Sequence, residues 1–206
     1  MRDFLRKTVL ILVGLVLANI VYARSPKMVI FGNSITENWV KFHPAFFEEN
    51  GFKGCGISGE TTTQMLLRFE ENVVETSPQM VLILGGINDI AENDGPYSED
   101  KTFSNISEMA RMAADAGIEV YLGSVLPTAN IYWRKSIENV PDKIDSLNER
   151  IRGLAAEKGY TYVDFNTHLA MPDRSLNPEL TKDGLHPTPP GYTVMEALLL
   201  PILQQR

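Results

Sequence analysis

Short apolar runs alternate along this chain with stretches whose apolar residues recur at helical spacing. Four runs are strongly apolar and one is weaker: Met28–Phe31, Met80–Leu84, Ile118–Leu122 and Tyr160–Val163, with the weaker run over Phe52–Ile57. Such runs are typical of strands buried on both faces, as in parallel sheets. Because parallel neighbours need a long crossover between them, this alternation limits the possible folds more than any other feature.

Four helical stripes of apolar residues lie between and after these runs. They are Met65/Leu66/Phe69/Val73, Phe103/Ile106/Ala110/Ala113, Ile144/Leu147/Ile151/Leu154 and Met195/Leu198/Leu199/Ile202. Each stripe predicts a helix that buries one face. Five strands with helices between them predict an α/β fold, a three-layer α/β/α sandwich around a five-stranded parallel sheet. In such sheets, ligands bind beyond the carboxyl ends of the strands.

The first 23 residues differ from the rest of the chain. A positive start with Arg2, Arg6 and Lys7 precedes an uncharged apolar stretch over residues 8–18, and small residues at Val21 and Ala23 follow. This order is that of a secretory signal peptide. The stretch is shorter than the roughly 20 residues of a membrane span. We expect a signal peptide over 1–23, one domain over 24–206, and export to a periplasm or the medium without stable membrane insertion; an uncleaved anchor is the alternative.

Composition excludes several classes of function. The 206 residues carry a formal net charge of -7, so a nucleic-acid partner has no basic footprint. The single cysteine, Cys55, excludes an internal disulfide and a cysteine-based zinc cluster. Three scattered histidines give no metal-binding spacing, so we expect no metal.

A serine and a histidine stand out among the residues that follow the predicted strands. Ser34 comes just after the first strand, where the chain turns. A serine needs a base to become a nucleophile, and His186 is the histidine in a distinctive setting, three residues after Asp183. That spacing lets one loop carry both the base and the carboxylate that orients it. The alternative is a turn-capping aspartate beside a solvent-facing histidine.

Acyl transfer also needs hydrogen-bond donors aimed at a developing oxyanion. Asn88 follows the third strand and could offer its side-chain amide. Gly59 could offer a backbone N–H without an obstructing Cβ, and the N–H of Ser34 could be a third donor. Taken singly, each glycine or asparagine is better explained as ordinary turn chemistry.

These residues fall into four ordered blocks that resemble the SGNH hydrolases, also called GDSL-type esterases and lipases. The blocks are Gly32-Asn33-Ser34-Ile35-Thr36, Gly56-Ile57-Ser58-Gly59-Glu60-Thr61, Gly86-Ile87-Asn88-Asp89 and Asp183-Gly184-Leu185-His186-Pro187. The resemblance implies a flavodoxin-like sandwich that cleaves carboxylic esters without metal or organic cofactor. It implies that Ser34 is the nucleophile, His186 the base and Asp183 its orienter. The Ser34 N–H, the Gly59 N–H and the Asn88 side chain would form the oxyanion hole.

One position departs from the family pattern. The residue before the nucleophile is usually aspartate, and here it is Asn33. Asparagine keeps a side-chain oxygen that can accept local backbone hydrogen bonds but loses the negative charge. We expect activity to survive, with a changed pH profile.

Two tryptophans leave their roles open at the level of sequence. Trp133 follows the fourth strand and should flank the substrate pocket, where it could stack on a sugar or cover the core; Trp39 has the same ambiguity. A G-x-G-x-x-G pattern spans residues 54–59, but it lacks the strong preceding strand and the acidic residue that a dinucleotide site needs.

The expected function is an exported serine esterase that removes a short acyl group, acetyl in the first instance, from a small-molecule or glycan ester. A lysophospholipase or thioesterase with the same site is one alternative. A non-catalytic carbohydrate-binding protein is another, suggested by Asn33.

Overall fold

Five parallel strands form the centre of the protein. The computed structural model describes residues 25–204, so the signal-peptide prediction over 1–23 lies outside the described residues. The strands are β1 (Met28–Gly32), β2 (Phe52–Gly56), β3 (Met80–Leu84), β4 (Glu119–Gly123) and β5 (Thr161–Val163). Their order is β2-β1-β3-β4-β5, with Met28 in register with Phe52 and Met80. This is the flavodoxin-like order, and each predicted strand boundary agrees within one residue.

Helices cover both faces of the sheet. They are α1 (Ser34–Phe42), α2 (Pro44–Asn50), α3 (Thr62–Leu67), α4 (Phe69–Asn72), α5 (Ile87–Ile90), α6 (Glu99–Asp115), α7 (Val140–Lys158), α8 (Asn166–Leu169) and α9 (Pro189–Gln204). A 3₁₀ turn spans Val74–Thr76. The predicted α/β/α sandwich is therefore confirmed. Within residues 25–204, no helix combines the length and apolar character that crossing a bilayer requires.

The core lies on both sides of the sheet, as the apolar runs predict. Every residue of β1 and β3 is buried, so these central strands are covered on both faces. The stripe of α7 behaves likewise, with Ile144, Leu147 and Ile151 all at most 1% exposed. The hydrophobic layers therefore hold rigidly the strand ends from which the polar loops emerge.

One helical stripe is interrupted. Met65, Phe69 and Val73 are fully buried as predicted, but α3 ends at Leu67 and α4 begins at Phe69, with Arg68 between them. The guanidinium of Arg68 donates to the carbonyls of Gly32 (2.8 Å) and Cys55 (3.2 Å) at the ends of two strands. These tertiary hydrogen bonds outweigh the local preference for one continuous helix.

The glycines of the 54–59 pattern serve packing. A Cβ on Gly56 would lie 2.2 Å from the backbone nitrogen of Glu37 and 2.6 Å from the carbonyl oxygen of Asn33. A Cβ on Gly54 would lie 2.1 Å from a methyl group of Val40. Only glycine lets α1 approach β2 this closely, and the contact fixes the start of α1 against the sheet.

The last helix packs against the first. Glu196 of α9 accepts hydrogen bonds from Nε1 of Trp39 (2.9 Å) and Nδ1 of His43 (2.7 Å). The Tyr192 hydroxyl donates to the carbonyl of Ile35 at 2.8 Å, and its ring stacks on Trp39. Trp39 is fully buried, which resolves its ambiguity in favour of the core.

Candidate active site

Ser34 lies at the junction of β1 and α1. β1 ends at Gly32, and Asn33 caps the helix because its Oδ1 accepts from the N–H of Ile35 at 3.2 Å. Ser34 is the first helical residue, so its N–H belongs to the first turn, where backbone donors have no partner within the helix. The helix dipole adds positive potential at this end. Hydroxyl and backbone donor therefore occur together at the carboxyl edge of the sheet.

His186 meets Ser34 across 152 residues of sequence. Its Nε2 is 3.0 Å from the Ser34 Oγ, and its Nδ1 is 2.7 Å from Oδ2 of Asp183. A carboxylate can only accept, so Nδ1 carries the proton and leaves Nε2 to accept from the serine hydroxyl. The three side chains thus form a continuous hydrogen-bonded chain with the geometry of nucleophile, base and orienter.

Asp183 is held by its own loop. Its Oδ1 accepts from the backbone N–H groups of Leu185 (2.9 Å) and His186 (2.8 Å). Partial burial raises the pKa of Asp183, but hydrogen bonds from the His186 backbone, the His186 ring and Leu185 outweigh burial and leave this pKa below its ordinary value. Asp183 is therefore ionised at neutral pH and fixes the imidazole orientation.

The candidate oxyanion donors share a cleft with Ser34 and His186. This open cleft has a volume of about 330 Å³ and is lined by Ser34, Asn38, Ser58, Gly59, Asn88, Asn93, Tyr132, Trp133 and His186. Asn88, 2% exposed, uses one amide hydrogen to donate to the Glu60 carbonyl at 2.9 Å, leaving a second. Gly59 has φ +83°, a left-handed conformation in which an L side chain is strained.

The loop that carries Gly59 is fixed by hydrogen bonds that sequence reasoning missed. The Glu37 carboxylate accepts from the N–H of Ser58 at 2.8 Å and also from its hydroxyl. Asn93 donates from Nδ2 to the carbonyl of Gly59 at 3.1 Å. These contacts orient the backbone on both sides of the Gly59 N–H. Their partners are distant in sequence, so no local pattern indicated them.

A second group of hydrogen bonds joins this loop to the Asn88 segment. Asp89 accepts from the Thr62 N–H at 2.9 Å and the Thr62 hydroxyl at 2.6 Å. Arg68 donates from Nε to Glu60 at 2.6 Å. Burial raises the pKa of the Asp89 carboxyl, and the hydrogen bonds from Thr62 only partly offset that effect. Asp89 directly follows Asn88, and this position was the one signal in the sequence that could have marked Asp89 as a residue that supports the site.

The side chain of Asn33 is only partly paired. Its Oδ1 caps α1, as expected for an acceptor at this position, whereas the buried Nδ2 has no hydrogen-bond partner among residues 25–204. Asn33 is 1% exposed and is the N-cap residue directly before Ser34. The cap that aspartate would provide is therefore kept by asparagine.

The two exposed aromatic residues of the 132–133 segment lie in the cleft, whereas the other two histidines lie away from Ser34. Trp133 and Tyr132 lie in the cleft lining, 41% and 44% exposed, with perpendicular rings whose centroids are 4.7 Å apart. His43 bonds to Glu196, and His168 lies 2.8 Å from the carbonyl oxygen of Asp164 through Nδ1, so neither joins Ser34. In the described part of the chain, no cluster of three or more His, Cys, Asp or Glu side chains could hold a metal ion.

Comparison with known proteins agrees with this architecture. The profile of the GDSL-like Lipase/Acylhydrolase family matches residues 30–194. A solved GDSL-like lipase from Bacteroides thetaiotaomicron is 46% identical, with a TM-score of 0.85 over 91% of this chain and 95% of that one. A Bacteroides fragilis protein assigned as an acylhydrolase is 45% identical, with a TM-score of 0.85 over 88% and 90% of the two chains.

A more distant relative comes from Geobacillus stearothermophilus. It is an acetylxylan esterase, 25% identical over 150 residues, which are 70% of this chain and 68% of that protein. The family profile covers most of the described residues, including all four sequence blocks. The protein therefore belongs to the GDSL-like lipase/acylhydrolase family and is a hydrolase of carboxylic esters.

Proposed function

We propose that this protein is a serine esterase that removes a short acyl group, acetyl in the first instance, from a hydroxyl group of a carbohydrate. The observation that carries the proposal is the 3.0 Å distance between the Ser34 Oγ and the His186 Nε2. At that distance the imidazole can take the hydroxyl proton as the oxygen attacks a carbonyl carbon.

The reaction proceeds in two halves. The Ser34 Oγ bonds to the ester carbonyl carbon while its proton passes to Nε2 of His186, and the carbonyl oxygen becomes an oxyanion. The Ser34 N–H, the Gly59 N–H and the free amide hydrogen of Asn88 stabilise that charge. The carbon–alkoxide bond then breaks, and the leaving oxygen takes the proton from Nε2. Water attacks the acyl-enzyme with His186 again as base, which releases the acid and restores Ser34.

The two parts of the proposed substrate, the acetyl group and the carbohydrate, are supported by two separate features. The Geobacillus relative acts on acetylated xylan by its name. The cleft is open and carries the exposed rings of Tyr132 and Trp133, and aromatic faces of this kind can pack against the C–H face of a sugar. Trp133 is accordingly proposed as a substrate-binding residue.

The proposal is tested by Ser34→Ala on acetate release from a short-chain ester. We expect a loss of about 10³-fold or more in kcat, the scale seen when a serine nucleophile is removed. Ser104→Ala, an exposed serine of α6, is the matched control and should retain full activity. Hydrolysis by Ser34→Ala within a few-fold of wild type would reject the nucleophile assignment. A wild-type preference for long acyl chains would favour the lysophospholipase or thioesterase alternative.

We also propose that the chain is exported and loses residues 1–23. The support is the order of positive start, apolar stretch and small residues in that segment. An acetyl-carbohydrate substrate is consistent with a site outside the cytoplasm.

A further inference from the structure

A second cleft adjoins the candidate active site. It has a volume of about 370 Å³ and is lined by Asn38, Phe42, Lys182, Asp183, His186, Pro187, Thr188 and Pro189. Asn38 and His186 line both clefts, so the two are neighbours that meet at the imidazole. The lining of the second cleft includes neither Ser34 nor the oxyanion donors Gly59 and Asn88. It therefore lies on the histidine side of the reacting atoms.

The direction of proton transfer assigns a role to this side. In the first half-reaction the leaving oxygen must take its proton from Nε2 of His186, so that oxygen lies beside the imidazole. The carbonyl oxygen points the other way, toward Gly59 and Asn88. The group attached to the leaving oxygen must then extend past His186, and the second cleft is the space that begins there.

We propose that this second cleft, hereafter the Phe42 cleft, is the subsite for the leaving alcohol and accommodates a pyranose ring of the carbohydrate. This inference rests on the proposed esterase function and adds a residue that determines substrate preference. It assigns Phe42 to the sugar ring that carries the released hydroxyl rather than to the acyl group, and Trp133 of the adjoining cleft to another ring of the same glycan.

The lining has the mixed chemistry that a sugar ring requires. Phe42 is 44% exposed at the end of α1, and its ring is tilted against Tyr192 with centroids 6.1 Å apart, so the exposed face is held in place. Pro187 and Pro189 extend the apolar wall, and Asn38 and Lys182 contribute polar groups. A pyranose presents a C–H face to an aromatic wall and hydroxyl groups to such donors. A fatty acyl chain would use the apolar wall alone.

The test compares leaving groups at constant acyl group. Acetate release is measured for wild type and Phe42→Ala with acetylated xylotriose and with ethyl acetate. We expect Phe42→Ala to lower the ratio of kcat/KM for acetylated xylotriose to kcat/KM for ethyl acetate by about tenfold. That is the scale of one lost apolar contact in a substrate pocket. Leu67→Ala, which removes an 84% exposed side chain outside both clefts, should leave the ratio unchanged. Phe42→Leu, which keeps bulk against Tyr192, should lower the ratio by a smaller factor.

Two further measurements distinguish failure of the proposed subsite from failure of the proposed esterase function. Titration of unacetylated xylotriose into the protein, followed by NMR, should show binding to wild type that Phe42→Ala weakens about tenfold, independent of turnover. If wild type hydrolyses neither ester, the proposed function fails, and this titration alone decides the subsite. No binding, or an unchanged ratio in both Phe42 variants, overturns the inference. A loss in Phe42→Ala that grows from ethyl acetate to ethyl octanoate would assign the Phe42 cleft to the acyl group and overturn it equally.

Discussion

At the scale of single residues, Asp183 shows how one carboxylate can fix both a loop and an imidazole. Oδ1 accepts two backbone N–H groups of its own turn, and Oδ2 faces the ring of His186. Each contact favours the ionised carboxylate, which is why the pKa of Asp183 stays below its ordinary value despite partial burial. Structure and proposed catalysis therefore depend on the same charge.

Replacing Asp183 by asparagine should affect activity and stability differently. We expect Asp183→Asn to lose about 10³- to 10⁴-fold in kcat, because an amide can hold the imidazole in the wrong tautomer. The folded-state pKa is depressed, so the stabilisation by Asp183 is complete above the unfolded-state pKa and disappears as pH falls through the folded-state pKa. Urea unfolding should therefore show wild type more stable than the variant at pH 7, with the difference decreasing progressively as the pH falls below about 4. A difference that stays constant down to pH 3 would contradict this account.

The site residues were predictable to different degrees. Ser34, Asp183 and His186 stood in recognisable blocks, and the 3.0 and 2.7 Å contacts bring these three side chains together. The supporting contacts of Glu37 and Asn93 were not predictable, because each pairs with a residue more than 20 positions away and neither lies in a distinctive local pattern. The sequence indicates site residues that are grouped in one short turn. It does not indicate site residues that come together only through tertiary packing.

At the scale of elements, the pairing of α1 with α9 connects the two ends of the described fold. The Trp39 indole and the His43 ring from the first helix segment share one oxygen of Glu196. Both partners of the His43–Glu196 pair are mostly shielded, with side chains 18% and 16% exposed. Since α1 begins with Ser34 and α9 follows closely after His186, this contact helps to keep the two side chains in register.

Removing Glu196 should destabilise the protein. We expect Glu196→Ala to lower the free energy of unfolding by about 2 kcal/mol, because the buried Trp39 Nε1–H would lose its acceptor. Glu196→Gln keeps one oxygen and should lose about half as much. Glu75→Ala, an exposed carboxylate in the 3₁₀ turn, is the control and should stay within about 0.5 kcal/mol of wild type. Equal unfolding free energies for Glu196→Ala and wild type in urea titrations would refute this role.

The elements themselves were largely readable from the sequence, with one instructive failure. The apolar runs predicted all five strands. Burial on both faces explains this for the central strands β1, β3 and β4, whereas the edge strands β2 and β5 are only partly buried. The stripe through Met65, Phe69 and Val73 predicted burial correctly but not continuity, since its period does not register the inward hydrogen bonds of Arg68. The spacing of apolar residues predicts which side chains are buried. It does not predict a helix break that arises because a side chain hydrogen-bonds to a distant carbonyl group.

At the scale of the whole molecule, the fold makes one site from opposite ends of the sequence. Ser34 follows β1 and His186 precedes the final helix, yet both line the same cleft at the carboxyl edge of the sheet. The four blocks and their order led to the family, which the profile match over residues 30–194 confirms. The Phe42 cleft was not foreseeable, because it forms between the end of α1 and the 182–189 loop only after the chain has folded.

The described fold also bears on the proposed export. Its first sheet contacts are the N–H of Lys27, which donates to Gly51 at 2.8 Å, and the carbonyl of Lys27, which accepts from Met80 at 3.1 Å. Cleavage after Ala23 would therefore remove none of the residues that build the described sheet. We therefore expect export to end in cleavage after Ala23, which leaves a chain that begins at Arg24 and keeps every residue of the described sheet.

Expression of the full chain in a bacterial host tests this prediction. We expect the exported fraction to begin at Arg24 when its N-terminus is sequenced, with esterase activity equal per mole to that of the chain made from Arg24 onward. The matched control is Ala23→Leu, which puts a large residue where the cleavage site needs a small one and should leave the precursor uncut. An exported, membrane-bound protein that retains Met1 in both versions would show an uncleaved anchor. The four-block domain would then act at a membrane surface, held there by residues 1–23.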